Sequence, residues 1–148
     1  EHKLGFISAN AGVDESNVAG RDNVLLLPKN PDISAKKIMN YFKKKYNTNI
    51  GIVITDTFGR PWRIGQVNVA IGVSGIPVTK SEKGAEDSFG NFMKVTEPAF
   101  CDEIAAASGL VIKKSSKTPI VLFRGLEWVN AKSSIKDVLR NKKEDMFL

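Results

Sequence analysis

Residues 51–75 read GIVITDTFGRPWRIGQVNVAIGVSG, and this stretch predicts the fold class and the place of a site. Its first part is a β-branched apolar run that stops abruptly at Asp56 and Thr57. A loop with Arg60 and Arg63 follows, and a second apolar run begins after it. In open α/β sheets, ligands gather outside the carboxyl ends of the strands. We therefore expect a site where the first of these two strands ends.

The side chains at this expected strand end suit a metal ion and a phosphate group. Aspartate and threonine supply the hard oxygen ligands that Mg²⁺ and Mn²⁺ prefer. Arg60 and Arg63 can pair with phosphate oxygens through two parallel hydrogen bonds, and we assign them a catalytic role from their charge and placement. The alternative is that Asp56 only caps the turn that follows a strand.

A second acidic loop lies near the start of the chain. Residues 11–18, AGVDESNV, follow a short predicted strand and offer a dense set of oxygen ligands: Asp14, Glu15, Ser16 and Asn17. The alternative interpretation of this loop is an Asx turn or a helix cap. Two acidic loops that each follow a strand could place two carboxylates around one cation.

Predicted helices and strands alternate along the chain, which indicates an α+β (mixed α/β) protein with a mixed sheet flanked by helices. One helix is expected to begin at Asp32 or Ser34 and to end near Tyr46, and a second has Thr96 as its N-cap. No domain boundary interrupts the sequence, so we expect residues 1–148 to form a single domain. The other predicted segments are strands at residues 4–8, 24–27 and 119–123, a polar loop at residues 79–91, and a terminal helix at residues 133–140.

Composition and charge narrow the classes of function. The 148 residues are 42% hydrophobic and 26% charged, and no apolar run approaches the ~20 residues of a transmembrane helix. A single cysteine, Cys101, cannot form an internal disulfide, so we expect a cytoplasmic protein with a buried structural thiol. The net charge of +6 favours anionic partners. Aromatic residues do not alternate with the lysine clusters, so nucleic acid is the weaker candidate among such partners.

Several segments together resemble one enzyme family. Residues 11–18 and residues 54–75, ITDTFGRPWRIGQVNVAIGVSG, are similar to the γ-glutamyl ligases of deazaflavin coenzyme biosynthesis, the coenzyme F420-0:L-glutamate ligases. The similarity continues through KVTEPAFCDEIAAASGL (residues 94–110) and PIVLFRGL (residues 119–126). It covers most of the chain in matching order and spacing, so the chain resembles the central and C-terminal part of this family.

The resemblance implies a GTP-dependent ligase that joins L-glutamate to an F420-0-like acceptor through an acyl phosphate. It also implies Mn²⁺ or Mg²⁺ as cofactor, with K⁺ as a further candidate, and a homodimer. Carried over residue by residue, Asp14 and Asp56 correspond to ligands of one cation and Thr57 to a ligand of a second. Asn17 corresponds to a nucleotide contact. Phosphoryl transfer depends on positioning and charge neutralisation, so metal ligands matter more here than a nucleophilic side chain.

The sequence departs from the family pattern in two places. The family has an N-terminal portion before the first acidic loop, and we expect this chain to be a fragment or a processed product without it. The segment VIKKSSKTP (residues 111–119) places Lys113 and Lys114 where the family has a Gly–Glu pair. A lysine opposes cation binding, whereas Lys114 could hold a phosphate directly. The alternative hypothesis is therefore a non-catalytic relative that binds a nucleotide or another anion, or that needs a partner segment for activity.

Overall fold

A computed structural model describes residues 2–8, 12–20 and 22–144, and it confirms the α+β class. Strands β1 (Val13–Asp14) and β2 (Leu25–Leu26) form one antiparallel pair, and β3 (Ile52–Arg60) and β4 (Arg63–Ser74) form another, where we expected one mixed sheet. No helix in these ranges is both long and apolar enough to cross a membrane. The helices are α1 (Pro31–Tyr46), α2 (Phe100–Gly109) and two short 3₁₀ helices (Ile135–Val138 and Lys142–Glu144).

The β3–β4 hairpin is the centre of the fold. Arg60 pairs with Arg63 across a connection of two residues, Pro61 and Trp62. Proline lacks the N–H that would continue the ladder and has a fixed negative φ, and Trp62 takes the left-handed conformation (φ 57°) at the second turn position, as in a type II turn. Strand β3 therefore continues past Asp56 to this turn. The prediction that the strand ends at Asp56 is wrong, because a strand with two differently covered faces tolerates polar residues within it.

The hydrophobic core lies between this hairpin and the two α-helices. Both helices pack against β4, which contributes the most deeply buried strand residues. Cys101 is fully buried in this core, which confirms the expected buried thiol, and burial raises the pKa of the Cys101 thiol to about 12. The buried core residues are Ala70, Val73, Ile76, Val78, Phe100, Cys101, Ala105 and Ile135.

Helix α1 confirms the first expected helix and its end at Tyr46. It begins earlier than expected, because Pro31 suits the first turn, where no N–H donor is needed. Asn30 caps the helix by accepting a hydrogen bond from the Ile33 N–H at 3.0 Å. Asp32, one of the two predicted caps, instead lies inside the first turn, where its carboxylate bonds to other elements.

The Asp32 carboxylate joins three elements of the fold. It accepts hydrogen bonds from the Val73 N–H of β4 at 2.8 Å and from the Ser134 hydroxyl at 2.8 Å. It also accepts one from the Ile135 N–H at 3.2 Å, at the start of a 3₁₀ helix. This 3₁₀ turn, capped by Ser134, is the regular structure found in the expected terminal helix at residues 133–140. The carboxylate thereby fixes the turn and the start of α1 against β4.

We expect Asp32→Ala to lower the free energy of unfolding by about 2 kcal/mol, because the donors on Val73 and Ile135 lose a charged acceptor in a half-buried place. Denaturant unfolding followed by circular dichroism measures the change. The matched control is Asp87→Ala. The Asp87 carboxylate accepts hydrogen bonds from within its own exposed loop, so its loss should lower the free energy of unfolding by less. Equal losses in the two variants would contradict this role for Asp32.

Helix α2 confirms the second expected helix but begins at Phe100, so the prediction of Thr96 as its N-cap is wrong. The carbonyls of Thr96 and Pro98 accept hydrogen bonds from the Glu82 and Lys80 N–H groups, which holds this approach to the helix extended. The expected polar loop at residues 79–91 is confirmed apart from one isolated bridge between Glu86 and Phe92.

Two predicted strands are not formed. Residues 4–8 and 119–123 lie outside strands, although residues 24–27 contain β2 as expected. Ile120 and Leu122 alternate as in a strand, but they remain 70% and 67% exposed. An extended segment becomes a strand only when a neighbour pairs with its backbone. Within the described ranges, neither segment has such a neighbour.

Candidate functional site

The first acidic loop contacts the loop that follows α2. The Asn17 side-chain amide donates a hydrogen bond to the Lys114 backbone carbonyl, and Lys114 Nζ donates to Ser16 Oγ at 3.5 Å. Asn17 adopts the left-handed conformation (φ 59°), which asparagine tolerates better than most residues. The structure thus brings together two residues that we predicted from opposite ends of the sequence as cofactor contacts. Ala11, the first residue of the predicted loop, lies outside the described residues.

The Asp14 carboxylate lies in this contact as an anion. Its Oδ1 accepts a hydrogen bond from the Ser16 N–H at 2.8 Å, so the Asx turn that we considered as an alternative is present. Hydrogen bonds from Ser16, aided by the positive charge of Lys114, lower the pKa of Asp14 below its ordinary value. A carboxylate has about four acceptor positions, so the turn leaves Asp14 with oxygen lone pairs for a cation.

Thr57 lies at the centre of β3 and faces α2. Its hydroxyl donates a hydrogen bond to Asn68 Oδ1 at 2.7 Å, and Thr57 and Asn68 are directly paired across the hairpin. Asn68 Nδ2 in turn donates to Ser108 Oγ on α2 at 3.0 Å. The Thr57 hydroxyl is therefore held in one orientation by groups on two other elements.

Asp56 is half-buried on β3, and its side chain points to the opposite face of the strand from Thr57. Phe58 shares this face with Asp56 and stacks on Phe6, with ring centroids 5.2 Å apart. Phe6 stacks in turn on His2 at 5.0 Å, and the His2 ring lies against Gly12 at the start of the first acidic loop. This row of contacts draws the loop toward the face of β3 that carries Asp56.

Arg60 and Arg63 lie at the tip of the hairpin, as exposed partners on opposite strands. Like charges directly opposite one another destabilise an antiparallel pair. An anion bound between the two guanidinium groups would remove that repulsion. The predicted phosphate contact stays a prediction, and the pair lies beyond the strand centre that carries Asp56 and Thr57.

The oxygen groups fit a divalent cation bound together with a phosphorylated substrate. Within residues 2–8, 12–20 and 22–144, no group of three or more His, Cys, Asp or Glu side chains is arranged to hold a metal. Magnesium needs no such cage, since it is usually held by one or two carboxylates together with waters and substrate phosphates. Asp14 and Asp56 could provide that smaller set for one ion, whereas Thr57 points away from Asp56 and could contact only a different ion. The ammonium of Lys114 is a direct partner for a phosphate.

Sequence reasoning missed Asn68 and Ser108. Asn68 is the one polar residue in the apolar run VNVAIGV, residues 67–73, and a lone polar residue there is a signal that could have been used. Ser108 lies near the end of an alanine-rich helix, where nothing in the sequence distinguishes it from an exposed serine. Its burial, at 6% exposure, is visible only in the structure.

Comparison with known proteins gives a consistent result. Residues 1–125 match the family model described as F420-0:Gamma-glutamyl ligase. The protein named coenzyme F420:L-glutamate ligase in Methanocaldococcus jannaschii is 42% identical over 148 residues, which is 99% of this chain and 59% of that protein. Proteins of the same name in Methanococcus maripaludis strains C7 and S2 are each 40% identical over the same shares. The chain therefore spans 59% of the length of these curated relatives.

Proposed function

The chain belongs to the F420-0:gamma-glutamyl ligase family, and from this premise we propose that it is part of a GTP-dependent ligase that joins L-glutamate to an F420-type acceptor. The observation that carries the proposal is the contact between the Asp14 loop and Lys114, which sets an ionised carboxylate beside an ammonium group. This arrangement combines anionic oxygens for cations with a positive charge for phosphate, as a nucleotide-dependent ligase requires.

The proposed reaction has two steps. The γ-phosphoryl group of GTP passes to the acceptor carboxylate, which gives an acyl phosphate and GDP. The amine of L-glutamate then attacks the acyl carbon, an amide bond forms, and phosphate leaves with the electrons of the broken C–O bond. Neither step needs a nucleophilic side chain, so the protein contributes by orienting the groups and neutralising charge.

Each predicted residue has a task in this scheme. Asp14 and Asp56 would hold one divalent cation and Thr57 a second, and a bound cation supplies charge neutralisation to the phosphate oxygens. Asn17 would contact the nucleotide. Lys114 would contact a phosphate as a point charge, and the Arg60–Arg63 pair would bind phosphate oxygens bidentately at the hairpin tip.

The ligase proposal is tested by incubating the chain with GTP, Mn²⁺, L-glutamate and F420-0. We expect phosphate release that depends on both glutamate and acceptor, and a product whose mass has increased by one glutamyl residue. A reaction without glutamate is the control. Neither phosphate nor product, from a chain that is folded by circular dichroism, would contradict catalysis by this chain alone.

A second candidate is a non-catalytic relative that binds a nucleotide or another anion. The observation that favours it is the positive charge of Lys114 next to Asp14, which opposes cation binding and favours a phosphate. Calorimetry with GTP separates the two candidates. Metal-dependent binding supports the ligase, whereas binding that is indifferent to metal supports the anion-binding relative.

The surface of the chain supports a homodimer. Its accessible area is 11442 Å², whereas a compact monomer of this mass exposes about 7,500 Å². Part of the excess is apolar, including Leu110, Val111, Ile120 and Leu122 at 65–89% exposure. Exposed apolar surface is a common feature of protein interfaces, so we propose that a second copy covers these side chains.

We therefore expect the purified chain to have twice the 16.2 kDa mass of a single chain in solution. Light scattering coupled to size-exclusion chromatography measures the mass. Replacing exposed Leu122 by glutamate should favour the monomer, because a charge would be buried in the contact, and Phe89→Glu in the exposed 79–91 loop is the control. A wild-type monomer at high micromolar concentration would contradict the dimer.

A further inference from the structure

A row of three polar side chains crosses the fold from α2 to the centre of β3. Ser108 Oγ donates a hydrogen bond to the Ala105 backbone carbonyl at 2.6 Å and accepts one from Asn68 Nδ2 at 3.0 Å. Asn68 Oδ1 accepts the proton of the Thr57 hydroxyl at 2.7 Å. The row joins the helix, β4 and β3 and ends at a residue that we assign to a cation.

The chemistry of these groups fixes the direction of every bond in the row. The Ala105 carbonyl can only accept, so the single proton of Ser108 is used there and Ser108 Oγ can only accept from Asn68. The amide group of Asn68 must then turn its NH₂ toward Ser108 and its oxygen toward Thr57. Thr57 in turn gives its only proton to Asn68, which leaves the lone pairs of Thr57 Oγ1 available on the other side.

Packing holds the row in place. Ser108 is 6% exposed, and Thr57 and Asn68 are direct partners across the hairpin. The end of α2 lies so close to the strand that a Cβ added at Gly109 would lie 3.3 Å from Asn68 Cγ. Asn68 is thus held between α2 and Thr57, and turning its amide over would break both of its hydrogen bonds.

We propose that Asn68 and Ser108 are positioning residues, which turn the Thr57 hydroxyl so that its oxygen faces a divalent cation. The inference rests on the proposed function, in which Thr57 is a cation ligand. A hydroxyl ligates a hard cation through a lone pair, and a hydroxyl whose proton is already used elsewhere presents that lone pair without reorientation. Groups that orient a ligand in this way contribute substantially to metal affinity.

A purely structural role makes a different prediction. Side-chain hydrogen bonds between opposite residues stabilise antiparallel strands whether or not a ligand binds. If Asn68 and Ser108 only support the hairpin, their loss lowers metal affinity to the same extent with or without the Thr57 hydroxyl. If they act through Thr57, their loss has no effect once that hydroxyl is gone.

A double-mutant cycle on Mn²⁺ affinity separates the two roles. The Mn²⁺ affinity of the whole chain is measured by calorimetry, without acceptor or glutamate, for the wild type, Ser108→Ala, Thr57→Val and the double variant. We expect Ser108→Ala to weaken binding about 10-fold and Thr57→Val to weaken it at least as much. The double variant should bind like Thr57→Val alone. Ser34→Ala, which removes a helical hydroxyl that donates to the Asn30 carbonyl, is the control and should bind like the wild type.

The outcomes distinguish the inference from the function on which it rests. Unchanged binding in Thr57→Val overturns the assignment of Thr57 as a ligand, and the positioning role with it. Weakened binding in Thr57→Val with unchanged binding in Ser108→Ala overturns the positioning role alone. An equal loss from Ser108→Ala in both backgrounds shows a structural role and also overturns it. If Ser108→Ala does not fold, Asn68→Val replaces it in the same cycle, with the same expected results.

Discussion

Replacing Asp56 with asparagine is expected to weaken Mn²⁺-dependent GTP binding by about 100-fold or more. The amide oxygen keeps the size of the carboxylate oxygen but not its negative charge, which is what a hard divalent cation gains from this ligand. Asp56 is half-buried on β3, so bulk water would replace the lost charge poorly. Removing groups that only orient a metal ligand lowers metal affinity roughly 10- to 100-fold. Removing the charge of the ligand itself should therefore lower the affinity by the upper end of that range.

Calorimetric titration of GTP with and without Mn²⁺ measures this change. The matched control is Glu103→Gln, which removes the same charge from an exposed position on α2. Because the two variants have the same net charge, a general electrostatic effect would weaken binding equally in both. Such equality, or Asp56→Asn with wild-type affinity, would contradict a cation at Asp56.

The second large effect is expected at Gly72, where alanine should lower the free energy of unfolding by about 3 kcal/mol. An added Cβ would lie 2.4 Å from Pro31 Cβ and 2.6 Å from the Pro31 backbone carbon. Both residues are buried, and neither a proline ring nor a backbone atom can turn aside as a flexible side chain would. The start of α1 would have to move away from β4, which would also strain the hydrogen bonds of Asp32.

Gly59→Ala in the same hairpin is the matched control, because nothing lies within 4 Å of its added Cβ. Alanine loses less conformational entropy than glycine on folding, so this variant should be neutral or slightly stabilising. Denaturant unfolding measures both changes, and we expect the free energy of unfolding to fall in Gly72→Ala but not in Gly59→Ala. A Gly72→Ala protein as stable as the wild type would contradict the close packing of α1 on β4.

The sequence was informative where a pattern is local. Both helices were predicted from such signals: α1 ends at Tyr46 as expected, and α2 forms where a second helix was expected, although it begins at Phe100. The contact between Asn17 and Lys114 was not predicted by periodicity. The family resemblance assigned Asn17 to the nucleotide, and the charge of Lys114 suggested a phosphate, but neither predicted that the two residues touch.

The parts that could not be predicted depend on contacts between distant residues. Asp56 and Thr57 looked like a strand end because they are polar, yet the hairpin pairs both of them with β4. Residues 119–123 have the alternation of a strand but find no partner in the described part of the chain. The orientation of Thr57 depends on Ser108, which lies far along the chain and acts through Asn68.

The central claim is that the turn at Asp14 and the strand at Asp56 hold the same cation. Anomalous diffraction from a crystal of the chain grown with Mn²⁺ and a non-hydrolysable GTP analogue tests it most directly. We predict one Mn²⁺ peak within about 2.5 Å of a carboxylate oxygen of both residues, a normal bond length for divalent cations and oxygen. Peaks that contact only one of the two carboxylates, or a bound nucleotide with no metal near either, would contradict the claim.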